Sequence, residues 1–151
     1  MTPRFEYRVW APDLTEQAGR LATLCTPLGV RASEETYLLT PRTDLNIKIR
    51  TGTIDIKQLV KTQQGFELWK PVVKEAFPLS PSSAAEVMTY LDGTRSSPLG
   101  EEPMGVDDFL ILAETAGAAT ATVSKRRRGY LYEDCILEFA EVTINGLDVH
   151  T

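Results

Sequence analysis

The stretch NIKIRTGTIDIK, spanning Asn46–Lys57, alternates apolar with polar or charged residues on both sides of a short turn. Successive side chains of a β-strand point to opposite faces of its sheet. The aliphatic positions, which share one parity within each half of the stretch, are Ile47, Ile49, Ile54 and Ile56. The stretch therefore predicts a β-hairpin with one aliphatic face and one largely cationic face.

Similar alternation predicts further strands before and after this hairpin, and helices come from apolar residues at helical spacing. The predicted strands are Arg4–Trp10, Glu35–Thr40, Phe66–Lys74, Ala118–Arg127 and Tyr132–Ile144. The predicted helices are Thr15–Leu28, Ser80–Leu91 and Val106–Ala116. Asp92–Met104 is rich in Gly, Ser and Pro and is expected to be a mobile loop. Asn145-Gly146 is a hairpin signal, but we expect the strand after it to be absent because the chain stops at Thr151.

Composition excludes several classes of function. A chain of 151 residues suits one domain, and a net charge of −5 argues against general nucleic-acid binding. No apolar run approaches the roughly 20 residues of a membrane span, so a cytoplasmic protein is expected. A disulfide between Cys25 and Cys135 is possible, but two reduced, buried thiols are favoured. His150 is the single histidine, which disfavours histidine-based zinc sites and Ser-His-Asp triads.

The faces of the strands predict an α+β architecture. If the aliphatic faces pack against about three helices, the charged faces point toward each other and line a closed or nearly closed antiparallel barrel with a polar lumen. The predicted lumen cations are Arg4, Arg8, Lys48, Arg50, Lys57, Lys70, Lys125 and Arg127. Burying such charges unpaired costs several kcal/mol per ion, so the lumen must hold water, carboxylates or a polyanion. The opposite direction, with the charges outside, also remains open because alternation alone cannot choose between the faces.

Arginine and lysine on one channel suit a run of phosphates, because guanidinium forks match phosphate oxygens and ammonium groups act as point charges. The candidate phosphate-binding residues are Arg8, Lys48, Arg50, Lys57, Lys70, Lys125 and Arg127. Carboxylates on the same walls could hold Mg²⁺ or Mn²⁺ against the phosphate oxygens, and the candidate metal ligands are Glu6, Glu138 and Glu141. Each glutamate is more often the structural ion-pair partner of a neighbouring cation than a metal ligand, because lumen cations need counter-charges.

The order of these features resembles the CYTH, or triphosphate tunnel metalloenzyme, superfamily, which includes class IV adenylate cyclases and thiamine triphosphatases. RFEYR resembles the family's ExExK strand, and IKIR and IDIK resemble its next basic strands. VSKRRR resembles the late K-x-R strand, and CILEFAEVTING resembles the acidic strand and turn after it. The resemblance covers nearly the whole chain, which would then be a single CYTH-like domain over residues 1–151.

The resemblance implies an eight-stranded tunnel that binds triphosphate compounds, with Arg50 and Lys57 acting on the reacting phosphoryl group in an active enzyme. The chain departs from the family where ExExK places its first glutamate, because Arg4 stands there and would repel a metal ion. The final family strand, with further glutamates, is also expected to be missing. These departures predict a protein that binds triphosphate or a nucleotide polyphosphate with weak or lost catalysis.

Two other functions remain open from the sequence. One is an active Mg²⁺- or Mn²⁺-dependent triphosphatase acting on inorganic, nucleoside or thiamine triphosphate. The other is a small-barrel interaction protein with a vestigial lumen. An unpaired edge strand would favour a homodimer.

Overall fold

The computed structural model describes residues 2–92 and 100–151. The described residues contain the helices α1 (Thr15–Leu24), α2 (Pro81–Asp92) and α3 (Val106–Thr115). Their strands are β1 (Arg4–Glu6), β2 (Thr26–Leu39), β3 (Leu45–Arg50), β4 (Thr53–Gln63), β5 (Phe66–Ala76), β6 (Ala119–Tyr132), β7 (Cys135–Ile144) and β8 (Leu147–His150). Most of the predicted mobile loop, residues 93–99, lies outside the described residues.

The strands form one eight-stranded sheet. In every strand pair whose residue register is known, the two strands are antiparallel. The strand order of the sheet is β1-β5-β4-β3-β2-β6-β7-β8. The predicted α+β class is confirmed, but the predicted barrel closure is wrong, since no ladder joins β1 to β8 within residues 2–92 and 100–151. The two end strands span only three and four residues, which leaves little backbone to pair. A single bridge links Ala11 to His150.

The chain divides into two compact units, and the first comprises the residues up to Tyr7 together with Thr36–Ala121. Its core joins the aliphatic face of the β3–β4 hairpin to α2 and α3. Ile54 and Ile56 are completely buried, as is Phe109 of α3. The predicted aliphatic face of Asn46–Lys57 therefore packs against two helices, and the cationic residues of the hairpin lie on the other face.

The second unit comprises Arg8–Glu35 and Thr122–Thr151. Its small core contains Ala18 of α1, Tyr130 and Phe139. In the register of β6 and β7, Tyr130 lies opposite Leu137, and Arg128 lies opposite Phe139. Helix α1 therefore covers the face of the β6–β7 pair to which the even-numbered residues of β6 point. The odd-numbered residues of β6 lie on the other face.

Several element boundaries differ from those predicted. Helix α1 ends at Leu24 rather than Leu28, because Pro27 favours an extended conformation in the residue before it. Strand β2 then begins at Thr26, well before the predicted Glu35. Strand β1 ends at Glu6 instead of continuing to Trp10.

The strand expected to be missing at the end of the chain is present. Asn145 and Gly146 adopt φ values of 47° and 86°, which is the left-handed geometry of a tight hairpin turn. Strand β8 starts immediately at Leu147 and pairs with β7. The expectation of two buried thiols is also wrong, because Cys135, at the start of β7, is exposed and only Cys25 is partly buried.

Candidate functional site

A completely buried carboxylate organises the polar face of the second unit. The Glu35 side chain has no solvent exposure. Glu35 is the last residue of β2 that belongs to the second unit. Its Oε2 accepts a hydrogen bond from Lys125 Nζ at 3.1 Å, and its Oε1 accepts one from Arg127 Nη2 at 2.6 Å. A carboxylate can be buried in this way because two charge-assisted hydrogen bonds replace its contacts with water.

Arg127 extends this network to β7 and to the middle of β2. Its Nη1 donates to Ser33 Oγ at 2.7 Å, and its Nε lies 3.2 Å from Glu138 Oε1. Glu138 also lies 3.7 Å from the guanidinium of Arg31, which is mostly exposed. We call this network the cationic cluster. It comprises the neutral Ser33 and the five charged side chains of Arg31, Glu35, Lys125, Arg127 and Glu138.

The cationic cluster carries more positive than negative charge. Its three cations, Arg31, Lys125 and Arg127, face two carboxylates, Glu35 and Glu138. Burial lowers the pKa of Lys125, and the nearby positive charges of Arg127 and Arg8 lower it further, while Glu35 acts in the opposite direction. The buried Glu35 carboxylate is therefore shared between Lys125 and Arg127, and Glu138 is shared between Arg127 and Arg31.

The cationic cluster borders a cavity of about 780 Å³. Its lining includes Ser33 and Lys125, and also the three carboxylates of Glu34, Glu141 and Asp148. Its volume lies in the range of pockets that hold small organic ligands. The Lys125 ammonium group is hydrogen-bonded to Glu35, and the three carboxylates of the lining oppose the binding of an anion in the cavity itself.

The other face of β6 carries a separate ion pair. Arg128 Nη2 lies 3.4 Å from Glu141 Oε2, and the Arg128 guanidinium stacks on the ring of Phe139. Arg126 lies opposite Glu141 in the register and is exposed. The alternation of β6 therefore separates Lys125 and Arg127 from these two arginines.

The polar face of the first unit brings together other predicted residues. Lys57 Nζ donates to Glu6 Oε1 at 2.8 Å, and both side chains are about one-third exposed, at 30% and 31%. Lys48 and Arg50 share a face of β3, and Asp55 lies directly opposite Lys48. These lysine and arginine side chains are interspersed with carboxylates rather than standing as a purely cationic row.

Two of the predicted lumen cations lie elsewhere in the first unit. Lys70 lies opposite Gln58, which in turn lies opposite Leu45 of the apolar face. Lys70 is exposed and stands apart from the face that carries Lys48. Arg4 is exposed in β1 and lies opposite Trp69 of β5.

Each of the three predicted metal ligands is held in an ion pair: Glu6 with Lys57, Glu138 with Arg127 and Glu141 with Arg128. Glu138 and Glu141 are three residues apart in β7 and so lie on opposite faces of the sheet. Over residues 2–92 and 100–151, no group of three or more His, Cys, Asp or Glu side chains is arranged to hold a metal ion.

Sequence reasoning missed Glu35 and Ser33 as members of the site. The signal that could have found Glu35 is its position: it has the same parity in β2 as Ser33 and Arg31, within a strand whose other face carries Ala32 and Glu34. This signal was hidden because the strand was predicted to begin at Glu35 itself.

Comparisons with known proteins give a likeness in structure but no family. No family model matches the chain, and no curated protein matches it. Among solved structures, the chain is similar to the PH1012 protein from Pyrococcus horikoshii OT3, with 18% sequence identity and a TM-score of 0.48. The match covers 94% of this chain and 73% of that protein. In the part of the chain that the structure describes, no helix is long and apolar enough to cross a membrane.

Proposed function

We propose that this chain is a CYTH-type protein that binds inorganic triphosphate or the polyphosphate of a nucleotide, with little or no hydrolysis. The cationic cluster of the second unit is the binding site in this proposal. Lys125 and Arg127 contact the phosphate oxygens, and Arg31 supplies further positive charge at the exposed edge.

The charge excess of the cationic cluster is the observation that carries the proposal. Lys125 is largely buried and its pKa is lowered by desolvation, so its charged form is less stable there than in water. A polyanion beside it would stabilise that charged form. Three of the five N–H donors of Arg127 point to Ser33, Glu35 and Glu138, and the second hydrogens of Nη1 and Nη2 remain to donate to phosphate oxygens.

The pairing of the acidic residues supports weak or lost catalysis. A divalent ion bound at Glu6, Glu138 or Glu141 would have to compete with the lysine or arginine that each carboxylate already contacts. The repulsion between that cation and a divalent ion opposes binding of Mg²⁺ or Mn²⁺. We therefore expect polyphosphate to bind without added metal.

Calorimetric titration with inorganic triphosphate, in low salt and without metal, tests the proposal. The wild-type protein and Arg20→Gln are expected to bind alike, because Arg20 is exposed on α1, which covers the other face of β6. Arg127→Gln is expected to bind at least about tenfold more weakly, since a hydrogen bond to a charged group contributes about 1.5–3 kcal/mol. Circular dichroism of each variant checks that it remains folded.

Two outcomes would overturn this proposal. Absence of triphosphate binding to the folded wild-type protein would exclude the site altogether. Phosphate release from triphosphate or ATP that requires Mg²⁺ or Mn²⁺, and that is lost in Glu6→Gln, would instead establish the metal-dependent hydrolase.

A further inference from the structure

A group of exposed aliphatic side chains stands at the β6–β7 hairpin end of the second unit. Ile136 is 72% exposed, Leu28 54% and Leu131 37%. These three residues are called the apolar rim below. Each exposes aliphatic surface to water, which is unfavourable by about 25 cal/mol per Å² relative to burial.

The three residues of the apolar rim share one face of the sheet. Leu131 and Ile136 are directly opposed in the register of β6 and β7. Leu131 and Gly129 are two residues apart in β6, so that they point the same way. A Cβ placed on Gly129 would lie 3.4 Å from Leu28 Cβ, which puts Leu28 above the same face.

Gly29 explains why Leu28 turns to this face. Arg31 and Ser33 belong to the cationic cluster, so strict alternation in β2 would place Gly29 on their side and Leu28 on the other. Gly29 instead has a φ of 115°, a backbone conformation that residues other than glycine rarely adopt. This interruption of the alternation brings Leu28 over Gly129.

The apolar rim continues directly from the cationic cluster. Lys125, Arg127, Gly129 and Leu131 follow each other at every second position of β6, and Glu138 lies opposite Gly129. At about 3.3 Å per residue, Arg127 and Leu131 are roughly 13 Å apart along the strand. Gly129 lies between Arg127 and Leu131 on this face and has no side chain. Leu28 is therefore the residue of the apolar rim that lies over this part of β6.

We propose that the apolar rim binds the hydrocarbon part of a phosphate monoester or diphosphate that carries an aliphatic chain, while Lys125 and Arg127 bind its phosphate. This inference rests on the proposed function and adds a ligand class to it. The positive excess at one end of the strand face selects an anionic head group. The aliphatic side chains at the other end select a flexible apolar chain about as long as their separation from Arg127.

Titration of the wild-type protein with a series of alkyl phosphates, from methyl to dodecyl and below their micelle concentrations, tests this proposal. Burial of one methylene contributes up to about 0.8 kcal/mol, which corresponds to nearly fourfold in affinity. We expect affinity to rise by roughly two- to fourfold for each methylene that reaches the rim.

Ile136→Ser is the decisive variant. Because Ile136 is mostly exposed, this change is expected to leave the fold intact. The increase in affinity per added methylene should fall to half of the wild-type value or less. The affinity for inorganic triphosphate should not change. Leu147→Ser removes an equally exposed leucine from β8 and should behave like the wild-type protein.

The outcomes separate this inference from the proposed function. If inorganic triphosphate binds but affinity does not depend on chain length, the apolar rim has no such role and the triphosphate site stands. If no phosphate compound binds, both fail. If Ile136→Ser converts a dimer to a monomer in sedimentation, the rim is covered by a second copy of the chain and the inference is wrong.

Discussion

Glu35 shows how one buried residue can organise a charged site. Its carboxylate holds Lys125 and Arg127 in place through both oxygens, and it receives a further hydrogen bond from Ser33 Oγ at 3.2 Å. A buried ion pair is stable only when such hydrogen bonds offset the loss of water. The fixed positions of the two cations, rather than their number alone, then present a preformed surface to an anion.

Replacing Glu35 by glutamine is expected to destabilise the protein by about 3 kcal/mol, because two buried cations then lose their common counter-charge. Urea denaturation followed by circular dichroism measures this change. Glu34→Gln is the matched control, since Glu34 is exposed and its loss should change the free energy of unfolding by less than about 0.5 kcal/mol. Equal stability of the two variants would show that Glu35 does not compensate the cations.

At the scale of residues, the sequence could predict which side chains share a face but not which of them pair. Parity places Lys125 with Arg127 and Lys48 with Arg50, and the structure has the same arrangement. The partner of Lys125 is 90 residues away in sequence, and only the path of β2 beside β6 brings Glu35 to it. Burial of that carboxylate depends on tertiary structure that no local pattern contains.

The β3–β4 hairpin is the element whose pattern determines the most structure. Its aliphatic face meets α2 and α3 through side chains that are almost completely buried. Interior packing is as dense as that of organic crystals, so the hairpin cannot lose volume without leaving a void. The same alternation places the hairpin's charged residues on the opposite face.

Ile54→Ala is expected to lower the free energy of unfolding by about 3 kcal/mol, because it removes buried methyl and methylene groups and leaves a cavity. Val60→Ala is the control on the same strand, since Val60 is 54% exposed and should cost less than about 1 kcal/mol. Thermal and urea denaturation both measure the difference. A cost for Ile54→Ala no larger than that for Val60→Ala would contradict the packing described here.

At the scale of elements, the sequence predicted the three helices that the described residues contain and the antiparallel β-structure, whereas the ends of these elements were less predictable. The end of α1 was set by Pro27, a local signal that outweighs the continuing helical spacing of Leu28. The length of β2 could not be predicted from its alternation, because Thr26–Arg31 exposes leucine and valine rather than burying them. A tight turn at Asn145-Gly146 also allowed β8 to form within the last few residues.

The charge of the whole molecule and the charge of its candidate site have opposite signs. The chain has a net charge of −5, while the cationic cluster carries an excess of positive charge. A long polyanion such as DNA would meet the negative field of the rest of the protein. A small polyphosphate needs only the local cations.

We therefore expect no binding of a short labelled DNA duplex at physiological salt, measured by fluorescence anisotropy, under conditions where inorganic triphosphate still raises the melting temperature. A ligand at about 100 times its Kd stabilises the folded state by about 2.7 kcal/mol, so this shift is readily measured. Duplex binding with an affinity equal to that of triphosphate would show that the acidic exterior does not discriminate between them.

The exposed thiol of Cys135 gives the protein a natural position for an optical reporter. It lies beside Ile136 at the β6–β7 hairpin, whereas Cys25 is partly buried. A maleimide dye should therefore react first at Cys135 under mild conditions, without any engineered cysteine. Cys135 points to the opposite face from Ile136, so an environment-sensitive dye on a flexible linker would reach around the hairpin end to the apolar rim, and its emission would follow the arrival of a hydrocarbon chain in real time.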